Sequence, residues 1–197
     1  MVNRLKLQPD QFYAQTRAEW RTWLTEHHTR DTGIWLVFNK KTSGLPYFSY
    51  EERVQEALCF GWIDSKPGKF DEQRSRLYFS PRKAKSGWSK VNKEHILRLL
   101  EQGLMMPAGL AKIKAAKKDG TWEKLDGVEA LEIPIDLEQA LSEFSNATAN
   151  FLAFPKSAKR GILEWIVQAK RPETRAKRIE ETARLAEENI RANQWQK

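Results

Sequence analysis

The sequence predicts an α+β protein: a small antiparallel sheet of about three strands packed by helices, with a helical C-terminal αα-hairpin. In the first half of the chain, short runs of aromatic and β-branched residues alternate with segments whose apolar residues recur every three or four positions. A hydrophobic fraction of 40% over 197 residues is enough for an ordinary core. The single cysteine leaves no internal disulfide to support the fold.

The first element is predicted to be an amphipathic helix that opens at Pro9 and Asp10, because proline suits the first helical turn. Apolar and aromatic residues then follow at helical spacing over about 18 residues. The residues at this spacing are Phe12, Thr16, Trp20, Trp23, Leu24 and His27.

Three strands are predicted to follow, at residues 34–39, 62–65 and 74–80. Ser49 and Glu52 form a capping box, which predicts that a helix begins between the first two strands. The dipeptide Pro67-Gly68 predicts a turn between the last two.

The chain after the sheet is predicted to be helical. Ser89 and Pro107 are expected to begin two helices. His95, on the first of these, is expected to be exposed. Asp136 and Gln139 form a second capping box, which predicts a further helix start.

Two further helices, beginning at Ser157 and Pro172, predict the αα-hairpin. We therefore predict an α+β domain with a basic loop region at residues 1–145, followed by a helical subdomain at residues 146–197.

Positive charge is concentrated in one segment of the chain. Residues 66–118 carry 14 Lys and Arg against 4 Asp and Glu, a net charge of +10, whereas the whole chain carries +8. Such a block favours an anionic partner, which could be a small ligand, an acidic protein surface or nucleic acid. The alternative is that the acidic segment 119–150 folds against the basic one and neutralises it.

The compartment is predicted from what the sequence lacks. The first ten residues contain no apolar run of the kind found in signal peptides. No stretch approaches the roughly 18 apolar residues of a membrane span. With a single cysteine and no membrane span, we expect a cytoplasmic protein.

Motifs of nucleotide, metal and hydrolytic chemistry are not found. The sequence has no P-loop, no G-x-G-x-x-G, no H-E-x-x-H and no G-x-S-x-G. One cysteine and three histidines offer no zinc set of ordinary spacing. We therefore expect no metal and no cofactor. No catalytic residue is identified, and the sequence favours a binding protein over an enzyme.

Candidate ligand-binding residues cluster between the second and third predicted strands and the helix that follows. If the strands pair, Asp64 comes near Arg74 or Arg76, and a carboxylate can pair with a guanidinium. Hydroxyls and cations then precede a helix N-terminus, an arrangement that binds anions. A tryptophan ring would supply a stacking face. The candidates are Trp62, Asp64, Arg76, Ser80, Arg82, Ser86 and Trp88.

Two other interpretations of these residues stay open. In one, Asp64 and Arg76 only brace the sheet and the tryptophans are core residues. In the other, Asp64 and Ser80 form the site of an enzyme, although no base and nucleophile stand at a recognisable spacing.

The same stretches resemble the YdeI/OmpD-associated family. The signature motifs are EALCFGWIDS at 56–65, FSPRK at 79–83, WSKVN at 88–92, GLMMPAG at 103–109 and DGTW at 119–122. Residues 154–157, with Trp165, Ile166, Ala169, Arg175 and Ile179, are similar to the short domain that names the family.

The resemblance implies a role in bacteriocin protection, that is, in bacterial stress or resistance to antimicrobial peptides. A protein at +8 repels cationic peptides, so protection is expected to be indirect rather than by sequestration. The sequence thus favours a binding module for an anionic ligand or acidic partner. The alternatives are non-specific nucleic-acid binding through residues 66–118, and an enzyme around Asp64 and Ser80.

Overall fold

The computed structural model describes residues 6–194 and divides the chain into two compact units. The first unit takes in the chain up to Ser86 and Val91–Trp122. The second takes in Gly87–Lys90 and the chain from Glu123 onward. The α+β prediction is confirmed, because the first unit contains a sheet packed by helices and the second is helical.

The sheet of the first unit has four strands in the spatial order β1-β2-β4-β3. They are β1 (Gln11–Tyr13), β2 (Ile34–Asn39), β3 (Trp62–Lys69) and β4 (Arg74–Pro81). The β2, β4 and β3 strands pair antiparallel, as predicted. The sheet has one strand more than the three expected, because β1 joins it in parallel with β2.

The predicted first helix begins later than expected. Helix α1 spans Arg17–His27, and its N-cap is Thr16, whose hydroxyl accepts a hydrogen bond from the backbone N–H of Glu19. The preceding residues form β1 instead. Phe12 fits both the two-residue period of a strand and the 3.6-residue period of a helix. It lies in β1, and its ring stacks on that of Trp20 with the ring centres 6.3 Å apart.

The register of β4 divides the sheet into two faces, because residues opposite one another on neighbouring strands share a face. On one face, Leu77 and Phe79 are buried, and the ring of Phe79 lies 5.2 Å from that of Trp20 on α1. We call this face the helix side. Arg76 and Tyr78 alternate with these residues and lie on the other face, which we call the outer side.

Helix α2 (Tyr50–Cys59) begins at the predicted capping box, in which Ser49 and Glu52 satisfy each other's backbone N–H groups. Its Glu56 is 2% exposed and accepts a hydrogen bond from Arg17 at 2.5 Å and from Arg21 at 2.6 Å. A buried carboxylate needs such partners, so this cluster joins α2 to α1.

The predicted turn at Pro67-Gly68 is wrong, because β3 continues through these residues to Lys69. Proline lacks a backbone N–H and is tolerated in edge strands, and β3 is at the edge of the sheet. The ladder shifts register between Asp64 and Pro67. Gly68 lies opposite Arg76, and a Cβ at Gly68 would come within 3.0 Å of the Arg76 Nε.

Two more helices follow near the predicted starts: α3 (Lys90–Glu101) and α4 (Pro107–Lys118). Helix α4 packs closely on the end of α2, since a Cβ at Gly109 would lie 2.3 Å from the carbonyl oxygen of Cys59.

The second unit is built from five helices among its described residues. They are α5 (Asp126–Glu129), α6 (Ile135–Ser142), α7 (Ala147–Ala153), α8 (Lys156–Val167) and α9 (Pro172–Glu187). Helices α8 and α9 form the predicted αα-hairpin. One apolar core runs from Leu125 to Ala192, so the predicted boundary between residues 145 and 146 falls inside this unit.

The second predicted capping box does not form. Helix α6 begins at Ile135 with Pro134 as its N-cap. The Asp136 carboxylate instead accepts two hydrogen bonds from the Arg175 guanidinium, at 2.7 and 2.9 Å. Bidentate pairing of this kind fixes α6 against α9.

Across residues 6–194, no helix combines the length and the apolarity needed to cross a membrane.

His95 on α3 is buried, contrary to the expected exposure, with only 6% of its surface accessible. Its Nδ1 lies 2.8 Å from the Arg98 Nη2 and 3.4 Å from the Gln55 Nε2. The Oε1 of Glu51 lies farther from the same atom, at 3.5 Å. Because the Arg98 guanidinium can only donate, the contact at 2.8 Å favours the neutral ring, in which Nδ1 accepts. Burial lowers the pKa of His95, and the positive charge of Arg98 lowers it further against the opposing effect of Glu51.

We predict that His95 makes the protein less stable at mildly acidic pH. Because its pKa is lower in the folded than in the unfolded chain, the unfolded chain binds the proton first as the pH falls below about 6.5. The free energy of unfolding, measured with urea, should therefore fall more between about pH 7.5 and about pH 5 for the wild type than for His95→Gln. His27→Gln, at a histidine whose side chain is 42% exposed, is the control. Parallel curves for wild type and His95→Gln would contradict the prediction.

Candidate functional site

The sheet separates Asp64 and Arg76, the two candidates expected to meet. Asp64 lies opposite Phe79 and therefore projects to the helix side. Arg76 lies opposite Gly68 and projects to the outer side. The carboxylate of Asp64 accepts a hydrogen bond from the Tyr50 hydroxyl at 2.8 Å instead.

The other predicted partner of Asp64 is also engaged elsewhere, because Arg74 pairs with Asp71 at 2.6 Å. Ser80 lies opposite Ile63 on the outer side. Asp64 and Ser80 are thus on opposite faces, so the sheet does not bring them together as an acid–base and nucleophile pair.

The two candidate tryptophans are core residues. Trp62 is 0% exposed; its indole N–H donates to the carbonyl oxygen of His28 at 2.9 Å, and its ring meets Trp23 edge-on at 5.8 Å. Trp88, in the second unit, is 3% exposed. Neither ring offers a face on which a ligand could stack.

The loop after β4 is folded on itself. The Ser86 hydroxyl donates to the carbonyl oxygen of Lys83 at 2.7 Å. Between them, the backbone of Lys85 is in the left-handed region, with φ 61°. Arg82 is 5% exposed, and burial lowers its pKa to about 10. Its backbone N–H donates to the carbonyl oxygen of Gly61. Arg82 is therefore part of the interior.

On the helix side, Asp64 lines an open groove of about 500 Å³. Its walls come from β2, α2, β3 and β4; the lining residues are Phe38, Tyr50, Asp64, Ser65, Pro67, Gly68, Lys69, Ser75, Arg76 and Leu77. Burial and the hydrogen bond to Asp64 raise the pKa of Tyr50 to about 12. The phenol consequently remains a hydrogen-bond donor to the carboxylate at every physiological pH.

On the outer side, Arg76 belongs to a cluster of aromatic and basic side chains. Its guanidinium carbon lies 4.4 Å from the centre of the Trp35 ring, and that ring meets Tyr78 edge-on at 5.2 Å. The guanidinium of Arg74 lies 5.4 Å from the ring of Tyr13. We call Trp35, Arg74, Arg76 and Tyr78 the outer patch; all four are half-buried.

Arg76 differs from Arg74 in having no polar partner within the described part of the chain. Its Nε is buried without a hydrogen bond. Among residues 6–194, the guanidinium forms no ion pair and rests only on Trp35. The Arg74 Nε is buried without a hydrogen bond as well, so the two arginines differ at their terminal nitrogens: the Arg74 Nη1 donates to Asp71, whereas the terminal nitrogens of Arg76 donate to no residue among 6–194. The outer patch can therefore bind an acceptor group, such as a phosphate or carboxylate oxygen.

Sequence reasoning identified Arg76 and Asp64 but missed Trp35, Tyr50 and Lys69. Trp35 could have been found, because strict alternation along β2 puts it on the face opposite Ile34. Tyr50 carried no such signal, since its position beside Asp64 depends on how α2 packs on the sheet.

Within residues 6–194, no three His, Cys, Asp or Glu side chains lie close enough together to hold a metal ion.

Comparison with protein families separates the chain into two segments. Residues 12–112, just over half of the chain, match the family described as "Domain of unknown function (DUF8412)". The chain belongs to this DUF8412 family. Both the groove and the outer patch lie in the DUF8412 segment. No curated protein and no solved structure matches the chain.

Residues 130–189 match a second family, described as "Bacteriocin-protection, YdeI or OmpD-Associated". This match confirms the predicted resemblance and places it in the helical second unit. The motifs at 56–65, 79–83, 88–92 and 103–109 lie instead in the DUF8412 segment.

We predict that Asp64→Asn lowers the pKa of Tyr50 towards the value of about 10 found in an ordinary tyrosine. An amide carries no charge and is a weaker acceptor than a carboxylate, so the phenol loses part of the interaction that retains its proton. Phenolate absorbance, followed against pH in each protein and in the same protein carrying Tyr50→Phe, isolates Tyr50 by difference. An unchanged titration would show that burial alone sets this pKa.

Proposed function

We propose that this protein is a cytoplasmic anion-binding module that acts in bacterial stress tolerance of the bacteriocin-protection type, and that the outer patch is its binding site. The ligand is a small anion or an acidic group on a protein partner. The match of residues 130–189 supports the broad role, and the outer patch supports the binding chemistry.

The observation that carries the proposal is the unpartnered guanidinium of Arg76 on the ring of Trp35. Stacking holds a planar guanidinium in one orientation, so its donors are arranged before a ligand arrives. Hydrogen bonds to a charged group contribute about 1.5–3 kcal/mol. The neighbouring Arg74 is neutralised by Asp71, which leaves Arg76 as the principal charge of the patch.

We predict that Arg76→Ala lowers the affinity for inorganic pyrophosphate and for citrate about tenfold or more, as measured by calorimetry, because about 1.4 kcal/mol is a tenfold change. Arg76→Lys should give an intermediate loss, since lysine restores the charge but neither the fork nor the stacking. Arg184→Ala removes the same charge from an exposed position on α9 and is the matched control. Equal affinities for wild type and Arg76→Ala would refute the assignment.

A second candidate function is nucleic-acid binding through the basic segment 66–118. The two tryptophans expected to stack on bases, Trp62 and Trp88, are buried. One other ring supports this function: the Nζ atoms of Lys93 and Lys117 lie 5.2 and 5.4 Å from the centre of the half-buried Trp122 ring. Lysines gathered at an aromatic ring are typical of single-strand binding surfaces.

Salt dependence distinguishes the two functions. If the basic segment contacts about six phosphates, affinity for a fluorescent single-stranded oligonucleotide falls by roughly 300-fold between 50 and 200 mM salt. The variant Lys93→Gln, Lys117→Gln would then bind more weakly at low salt, whereas Lys156→Gln, Lys159→Gln on α8 would not. No binding of the oligonucleotide at low salt favours the small anion.

A further inference from the structure

The groove is built mainly on the helix side of the sheet and shares only Arg76 with the outer patch, and its chemistry is different. Phe38, Pro67 and Leu77 give it an apolar surface. Three charged residues line it: Asp64, Lys69 and Arg76. Asp64 and Lys69 lie on the helix side, whereas the guanidinium of Arg76 stacks on Trp35 on the outer side. At about 500 Å³, it is large enough for a small organic molecule.

The two opposite charges stand at different ends of the groove. Asp64 lies opposite Phe79, and Lys69 lies opposite Ser75. These β4 positions are four residues apart, which corresponds to roughly 13 Å along a strand. Both side chains share the helix side with Phe38, so an apolar surface lies between a negative and a positive end.

Neither charge is neutralised by the described part of the chain. The Oδ2 atom of Asp64 accepts the hydrogen bond from Tyr50, and within residues 6–194 the carboxylate forms no ion pair. Lys69, which is exposed, likewise forms none in that part of the chain. A half-buried carboxylate with a free oxygen is a strong acceptor for an ammonium group.

We propose that this groove binds a short peptide with free termini, whose α-amino group pairs with Asp64 and whose terminal carboxylate pairs with Lys69. An extended tripeptide spans roughly 10 Å, and the flexible side chain of Lys69 covers the remaining distance. An apolar central residue would pack on Phe38 and Leu77. Charge complementarity at both ends distinguishes this ligand from a simple anion.

The test is calorimetry with the tripeptide Gly-Phe-Gly and with its N-acetylated and C-amidated forms. N-acetylation should weaken binding to the wild type about tenfold. C-amidation should weaken it only about threefold, as is typical of an exposed ion pair. In Asp64→Asn, N-acetylation should have little further effect, and in Lys69→Gln the same should hold for C-amidation. Arg184→Ala should behave as wild type throughout.

Tyr50→Phe keeps the carboxylate of Asp64 and releases its Oδ2, so this variant should bind the free peptide at least as tightly as the wild type does. If Asp64→Asn does not fold, the comparison of free and acetylated peptide can still be made in Tyr50→Phe. The proposal is overturned if the wild type does not bind the free peptide at about 10 mM, a limit that corresponds to very weak affinity, or if acetylation has the same effect with and without the carboxylate.

Discussion

The register of β4 determines the chemistry of both faces of the sheet. This strand lies between β2 and β3, so each of its residues fixes the face of a neighbour on either side. A slip of one residue would turn Leu77 and Phe79 to the outer side and drive Arg76 into the core. Burying an unpaired guanidinium costs several kcal/mol, so the core and both candidate sites depend on the same alternation.

Contacts on the helix side hold this register in place. The rings of Trp20 and Phe79 pack together, and the buried carboxylate of Glu56 pairs with the half-buried Arg17 and Arg21 between α1 and α2. At the edge strand, Gly68 leaves just enough room for Arg76 to cross β3. A Cβ at this position would lie 3.0 Å from the Arg76 Nε and 3.4 Å from the Trp35 ring, so both side chains would have to shift by a few tenths of an ångström.

Local patterns predicted the elements well where one signal dominated. The Ser49–Glu52 capping box and the three antiparallel strands were found because each has a distinct sequence signature. The start of the first helix was misplaced because Phe12 fits both a period of two and a period of 3.6. Pro67-Gly68 resembled a turn, but an edge strand tolerates both residues. Asp64 and Arg76 were correctly placed on paired strands, yet alternation put them on opposite faces of the sheet. The packing of α2 brings Tyr50 to Asp64, and pairing with β2 brings Trp35 to Arg76.

Net charge alone is a weak guide to where this protein binds. The segment 66–118 carries +10, but Arg74 is paired with Asp71, and Arg82 is enclosed in the interior. Exposed lysines contribute a field that salt screens within roughly 8 Å, and they have no fixed orientation. Arg76 is different because Trp35 orients its guanidinium and no described residue occupies its donors. Specific recognition therefore follows from which charges the fold leaves oriented and unpaired, a property that the geometry of the sheet determines and that composition cannot show.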